Sequence, residues 1–226
     1  MHYQSVIEGR FLHRPNRFIA HVETGDGIQI CHVKNTGRCR ELLQPGAVVY
    51  LERAASPARK TAYDLIAVKK GDLLINMDAQ APNRVFREWV ACGAFLRDVR
   101  TVQPEFRYGD SRLDFALETE RGLHLVEVKG VTLEESGTAK FPDAPTERGV
   151  KHIRELMRAV QQGLPATLFF VIQMCGVHRF VPNDSTHPAF GQALREAAGA
   201  GVQILAYDCA VTPDSLEIRA PVPVEL

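Results

Sequence analysis

An α+β protein in two parts, a small closed β-barrel followed by an α/β domain around a mixed sheet, is the fold class this chain predicts. Three observations carry that expectation. Short apolar runs recur at roughly ten-residue spacing up to residue 80, helical periodicity begins near residue 82, and the order from there reads α-β-β-β-α-β-α-β. With 226 residues, 45% of them hydrophobic, the chain can bury a sizeable core.

In residues 1–80 the β-branched and apolar residues gather in "SVIEGRFL", "RFIAHVET", "IQICHV", "AVVYLER", "DLIAVKK" and "DLLINM". Turn residues part them: "GDG" at 25–27, "NTG" at 35–37, "QPG" at 44–46 and "KKGD" at 69–72. Such spacing suits an OB-like barrel, with an SH3-like barrel as the alternative, and "CRELL" at 39–43 forms one helical turn inside it. The boundary is expected at 78–82, giving domains 1–80 and 81–226.

Pro82 stands where a helix can start, and Val85, Trp89, Val90 and Phe95 make a rough stripe over 82–95. "VQPEFRYG", "SRLDFAL" and "LHLVEVKGVTL" then read as three strands, and the polar stretch 134–145 as a loop. "TERGVKHIRELMRAVQQG" is amphipathic, with Val150, Ile153, Leu156, Met157 and Val160 on one face and Gly163 as the stop. "ATLFFVIQM" is apolar throughout, as in a strand buried on both faces. "PAFGQALREAAGAG" followed by "VQILAYDC" imitates a helix-turn-helix, but the second run alternates and is β-branched, so a helix and a strand are expected.

Lysine plus arginine equals aspartate plus glutamate at 27 each, so no global basic footprint coats a nucleic acid. A local patch remains open, residues 1–80 being mildly basic. Cys31, Cys39, Cys92, Cys175 and Cys209 are scattered, without a CxxC pair or zinc spacing, which fits a reduced compartment. Neither an apolar run of about 18 residues nor an apolar signal segment is present. A soluble cytoplasmic protein without membrane attachment is expected.

Two of the apolar runs carry one carboxylate each, Asp114 and Glu127, and Lys129 follows two residues after the second. Alternation puts Glu127 and Lys129 on one strand face. If the Asp114 strand is the hairpin partner, the two acids adjoin, a repulsive arrangement that a divalent cation relieves. Mg²⁺ suits it, with Mn²⁺ as an alternative, and a nearby ammonium can assist attack on a phosphodiester. The plainer reading is that these charges solvate a strand face.

An α-β-β-β-α-β core with Asp on its second strand and Glu-x-Lys on its third resembles the PD-(D/E)XK nuclease superfamily. There the preceding helix often adds a Glu, and here that helix offers Glu88. "CHVKNTGRCRELLQPG", "RLDF", "VEVKGVTL", "FPDAPTERGVKHIRELM" and "GVQILAYD" together resemble the sugar fermentation stimulation protein A (SfsA) family over essentially the whole chain. The resemblance implies an OB-like first domain, a nuclease-like second domain, DNA binding without sequence specificity, and a role in regulating sugar, notably maltose, metabolism. It supplies no settled reaction.

The loop Lys34, Asn35, Thr36, Gly37, Arg38 with Arg40 offers amides and three cations to a phosphate, or it is simply a solvated turn. Arg10, Arg14 and Arg17 belong with it. Phe11, Phe18 and Tyr50 can stack bases, although Phe18 fits core packing better. Arg148 and Lys151 share a helix face that leads back to the Glu127 strand. His152 has no partner nearby in sequence and is a poor metal-ligand candidate. The expectation is a DNA-binding protein with a Mg²⁺-dependent nuclease site at Asp114, Glu127 and Lys129, Glu88 being the third acid. The competing class is a non-catalytic DNA-binding regulator.

Overall fold

The computed structural model describes residues 1–35, 37–56 and 58–226. Strands β1 (Val6–Asn16), β2 (Ile19–Thr24), β3 (Gly27–Val33), β4 (Val48–Arg53), β5 (Tyr63–Lys70) and β6 (Leu73–Asn76) form a sheet in the order β3-β2-β1-β4-β5-β6. A parallel pairing of β3 with β5, Cys31 opposite Tyr63, closes the first five into a barrel. The long β1 serves both sides, since Arg10 pairs with Glu23 and with Val48. Gly9 permits that bend: a Cβ there would stand 2.5 Å from Val22 Cγ1 and 2.8 Å from the Glu23 carbonyl.

Next come α1 (Ala81–Ala91), β7 (Val99–Tyr108), β8 (Ser111–Thr119), β9 (Gly122–Val131), β10 (Leu133–Glu135), β11 (Thr138–Phe141), α2 (Glu147–Gln161), β12 (Ala166–Ile172), β13 (Arg179–Pro182), α3 (Pro188–Gly199), β14 (Gln203–Thr212) and β15 (Ser215–Pro221). The main sheet runs β15-β14-β12-β9-β8-β7. Its centre, β9-β12-β14, is parallel, and its flanks are antiparallel. All of β12 is buried: Leu168, Phe170 and Ile172 join one core, Phe169 and Val171 the other.

The stretch 134–145, expected as a loop, instead begins as the β10–β11 hairpin, and β11 pairs with β13. Its polar residues are used in the turn and at the junction with the barrel. Glu134 accepts the Gly137 N–H at 2.6 Å and pairs with Lys70 of β5 at 2.7 Å.

A second set of polar contacts fixes the barrel on the α/β domain. Gln173 donates to Asn76 Oδ1 at 2.8 Å and to the Asp78 carbonyl at 3.0 Å, and Asn76 donates to the Tyr3 hydroxyl at 2.8 Å. These buried groups are mutually satisfied, so they specify one docking geometry. Residues at the start of the chain lie on the second domain, His2 bridging to Ser215 and the Tyr3 N–H donating to Asp214. Among the described residues no helix is long and apolar enough to cross a membrane.

Candidate metal and phosphodiester site

The β8–β9 ladder runs from the turn at Thr119 and Gly122 up to Phe115 opposite Val126, where the strands part. The next residues on each strand are Asp114 and Glu127, and their carboxylates take over the abandoned amides. The Asp114 N–H donates to Glu127 Oε2 at 3.3 Å, and the Val128 N–H donates to Asp114 Oδ2 at 2.8 Å. Beyond this point β9 stays rigid through its pairing with β12, Glu127 opposite Leu168 and Lys129 opposite Phe170.

Glu127 is 1% exposed, yet both its oxygens accept hydrogen bonds. Lys129 Nζ and His152 Nδ1 converge on Oε1. Burial alone would push the carboxyl up, but the His152 hydrogen bond and the Lys129 charge outweigh burial and hold it below its usual range. Asp114 goes the other way. Burial pushes its carboxyl up and the Glu127 charge pushes it further, while Lys129, the Val128 N–H and Asn83 offset only part.

Two helices supply the supports. Helix α2 starts at Thr146, whose side chain accepts the Gly149 N–H at 3.1 Å, with Glu147 in its first turn. That start sets the register placing His152 over Glu127. Arg148, one turn earlier, donates from Nε to His152 Nε2 at 3.3 Å. Lys151 instead donates to the Asp110 carbonyl at 2.8 Å. Helix α1 brings Asn83, which donates to Asp114 Oδ1 at 2.8 Å. Glu88, expected as a third acid, does not join the pair. Its carboxylate lies 2.8 Å from the Met1 ammonium and 3.6 Å from Arg84, because it falls more than a turn beyond Asn83. Arg84, Arg87 and Glu88 line a groove with Asp114, and the two arginines escaped the sequence reading.

The barrel loop divides differently from expectation. Lys34 is consumed by carboxylates, lying 3.5 Å from Glu52, 3.3 Å from Asp64 and 3.3 Å from Asp78, so it is a structural cation. Asn35 builds the turn, donating to the Met77 carbonyl and accepting the Gly37 N–H at 2.8 Å. Arg14 gathers the carbonyls of Asn35, Gly37 and Arg38. Arg38 and Arg40 are exposed, and Thr36 lies outside the described residues. Phe11 and Tyr50 are buried, whereas Phe18, expected in the core, is 43% exposed with the Arg17 guanidinium 4.8 Å from its ring centre. Ile28 and Ile30 are exposed on the neighbouring strand.

Two adjoining carboxylates are hard oxygen donors of the kind a divalent cation takes when waters fill its other positions. Among the described residues no three His, Cys, Asp or Glu side chains converge to hold a metal. The donor set therefore fits an ion shared between two carboxylates and water, and does not fit a closed cage of protein ligands.

The sequence matches two family models, "SfsA N-terminal OB domain" over residues 12–77 and "Sugar fermentation stimulation protein RE domain" over residues 80–215. The barrel is accordingly of the OB type, and the SH3-like alternative falls away. A "Sugar fermentation stimulation protein homolog" of Desulfitobacterium hafniense (strain DSM 10664 / DCB-2) is 56% identical, covering 100% of this chain and 99% of its own. One of Clostridium beijerinckii is 51% identical, covering 100% of both. The solved structure of Pyrococcus furiosus SfsA in complex with Ca²⁺ superposes with a TM-score of 0.91 at 30% identity, over 100% of this chain and 98% of that one.

Proposed function

The chain belongs to the sugar fermentation stimulation protein family, and on that footing we propose that it binds DNA and hydrolyses phosphodiesters at Asp114, Glu127 and Lys129 with Mg²⁺ or Mn²⁺. One observation carries the reading. Two carboxylates adjoin at the mouth of a rigid sheet with a lysine on the same face, a set that solvation of a strand does not call for, since Glu127 is buried. The Pyrococcus relative is in complex with Ca²⁺, which supports binding of a divalent ion by this chain.

In this reading Asp114 and Glu127 hold the ion, and Lys129 places its ammonium beside the scissile phosphate to stabilise developing charge. Asn83 and His152 keep the two carboxylates aimed. A divalent ion held there supplies Lewis-acid polarisation of the phosphodiester. Residues 81–226 carry the chemistry, and residues 1–80 grip the strand. Arg38 and Arg40 on the barrel, Arg84 and Arg87 on the groove and Lys151 on α2 meet backbone phosphates without reading sequence. Phe18 offers the barrel a ring on which a base can stack, with the exposed Ile28 and Ile30 as apolar surface on the neighbouring strand.

A second reading, a DNA-binding regulator of sugar metabolism that does not cleave, is favoured by the hydrogen bonds already filling Glu127. A metal-dependent cleavage assay on labelled DNA separates the two.

A further inference from the structure

His152 had no role in the sequence reading, yet it is buried against the most buried carboxylate of the site. Its other nitrogen, Nε2, receives the Arg148 Nε–H at 3.3 Å. An arginine only donates, so Nε2 is the accepting nitrogen and the ring proton sits on Nδ1. That proton points at Glu127 Oε1. Arg148 from the solvent side of α2 and the Glu127 carboxylate from within thus select the same tautomer and hold the ring between them.

We infer that Arg148 and His152 are positioning residues that hold Glu127 Oε1 and so keep Oε2 turned toward Asp114, ready to share a divalent cation. The inference rests on the metal-site reading above. The backbone of Glu127 is fixed by its pairing with Leu168, but the side chain has its own rotations to restrain. Lys129 restrains it from the strand, and it is also needed at the phosphate. His152 restrains it from the helix, with no second duty and with its far edge held by Arg148. Partners behind a metal ligand commonly tune affinity in this way, by about 10- to 100-fold. A histidine that merely satisfied a buried acid would contribute to folding and leave cation uptake unchanged in any variant that folds.

Two measurements on the full chain separate these. Long-range ¹⁵N–¹H spectra of the imidazoles should show His152 as the Nδ1–H tautomer; an Nε2–H ring in the wild type overturns the relay. Titration calorimetry with Ca²⁺ should show affinity about 10- to 100-fold weaker in His152→Ala and His152→Gln. His152→Asn, whose amide can stand where Nδ1 stood, should recover most of that loss. Should His152→Ala fail to fold, Arg148→Ala, at an exposed position, carries the same comparison. Wild-type affinity in folded His152→Ala or Arg148→Ala overturns the inference. A wild type that takes up no Ca²⁺ while showing the Nδ1–H tautomer overturns the metal-site reading on which the relay rests.

Discussion

Asp114 and Glu127 accept each other's strand as well as facing each other: Glu127 Oε2 takes the Asp114 N–H at 3.3 Å, and Asp114 Oδ2 takes the Val128 N–H at 2.8 Å. The pair occupies the place of the next rung in the β8–β9 ladder. Without those carboxylates two amides at the parting of the strands would lose their partners, a cost of about 1–3 kcal/mol each when buried. The same exchange buries Asp114 beside a second acid, and burial together with that repulsion gives the pair its measurable signature.

The signature is a pH dependence of stability. Asp114's folded value lies above its ordinary one, for burial and then for the Glu127 charge. Its contribution to stability is therefore full below the unfolded value, about 3.9, and is lost as pH rises through the raised folded value. Asp114→Asn removes that titration, and a flip of the Asn83 amide restores the hydrogen bonds. Urea midpoints between pH 4 and pH 8 should show Asp114→Asn gaining on the wild type as pH rises. A variant that loses ground over that range contradicts the assignment.

Lys34 and Arg38, four residues apart in one loop, should behave in opposite ways. Lys34→Met leaves Asp64 and Asp78 buried beside a missing cation and should cost about 3–5 kcal/mol. Burial raises the Asp64 carboxyl, but the Arg59 hydrogen bond and the Lys34 charge bring it below its usual range. The stability it contributes is present above the ordinary aspartate value and lost as pH falls through the depressed one, so Lys34→Met should also narrow the gap between neutral and acid stability. Arg38→Ala with Arg40→Ala should stay within about 0.5 kcal/mol of the wild type each. Denaturation curves check both.

DNA binding should follow the exposed cations. Arg38→Ala and Arg40→Ala should weaken binding to all sequences alike, and each should lower the slope of log affinity against log salt by about one. Phe18→Ala should leave folding intact and cost single-stranded binding about 1–3 kcal/mol. Fluorescence anisotropy at several salt concentrations reads all three. A salt-insensitive complex with one preferred sequence contradicts backbone recognition.

Much of this was legible before the structure. Each of the six barrel runs became a strand, because alternation and Gly-containing turns are local signals. The Asp114–Glu127 adjacency followed from strand period and one hairpin, again within about 15 residues. What escaped depended on helix register and docking. Glu88 was the only acid on α1 and drew the eye, but Asn83 is the residue whose register meets Asp114. His152 lies 25 residues from Glu127 and reaches it only because α2 packs against the sheet. Lys34 looked like a phosphate ligand because Asp64 and Asp78, which neutralise it, arrive from other segments of the chain. Phe18 looked like core because hydrophobicity does not tell which end of a hairpin is covered.

The most direct measurement is cleavage of labelled single- and double-stranded DNA by the full chain, with Mg²⁺ or Mn²⁺ and then with chelator. The account predicts cleavage by the wild type that chelator abolishes and that Asp114→Asn, Glu127→Gln and Lys129→Met each reduce by at least about 100-fold. All three should still bind DNA, Asp114→Asn and Glu127→Gln at least as tightly as the wild type, because fewer carboxylate charges then face phosphate. Wild-type protein that leaves both substrates intact with either ion, and that takes up neither ion in calorimetry, contradicts it.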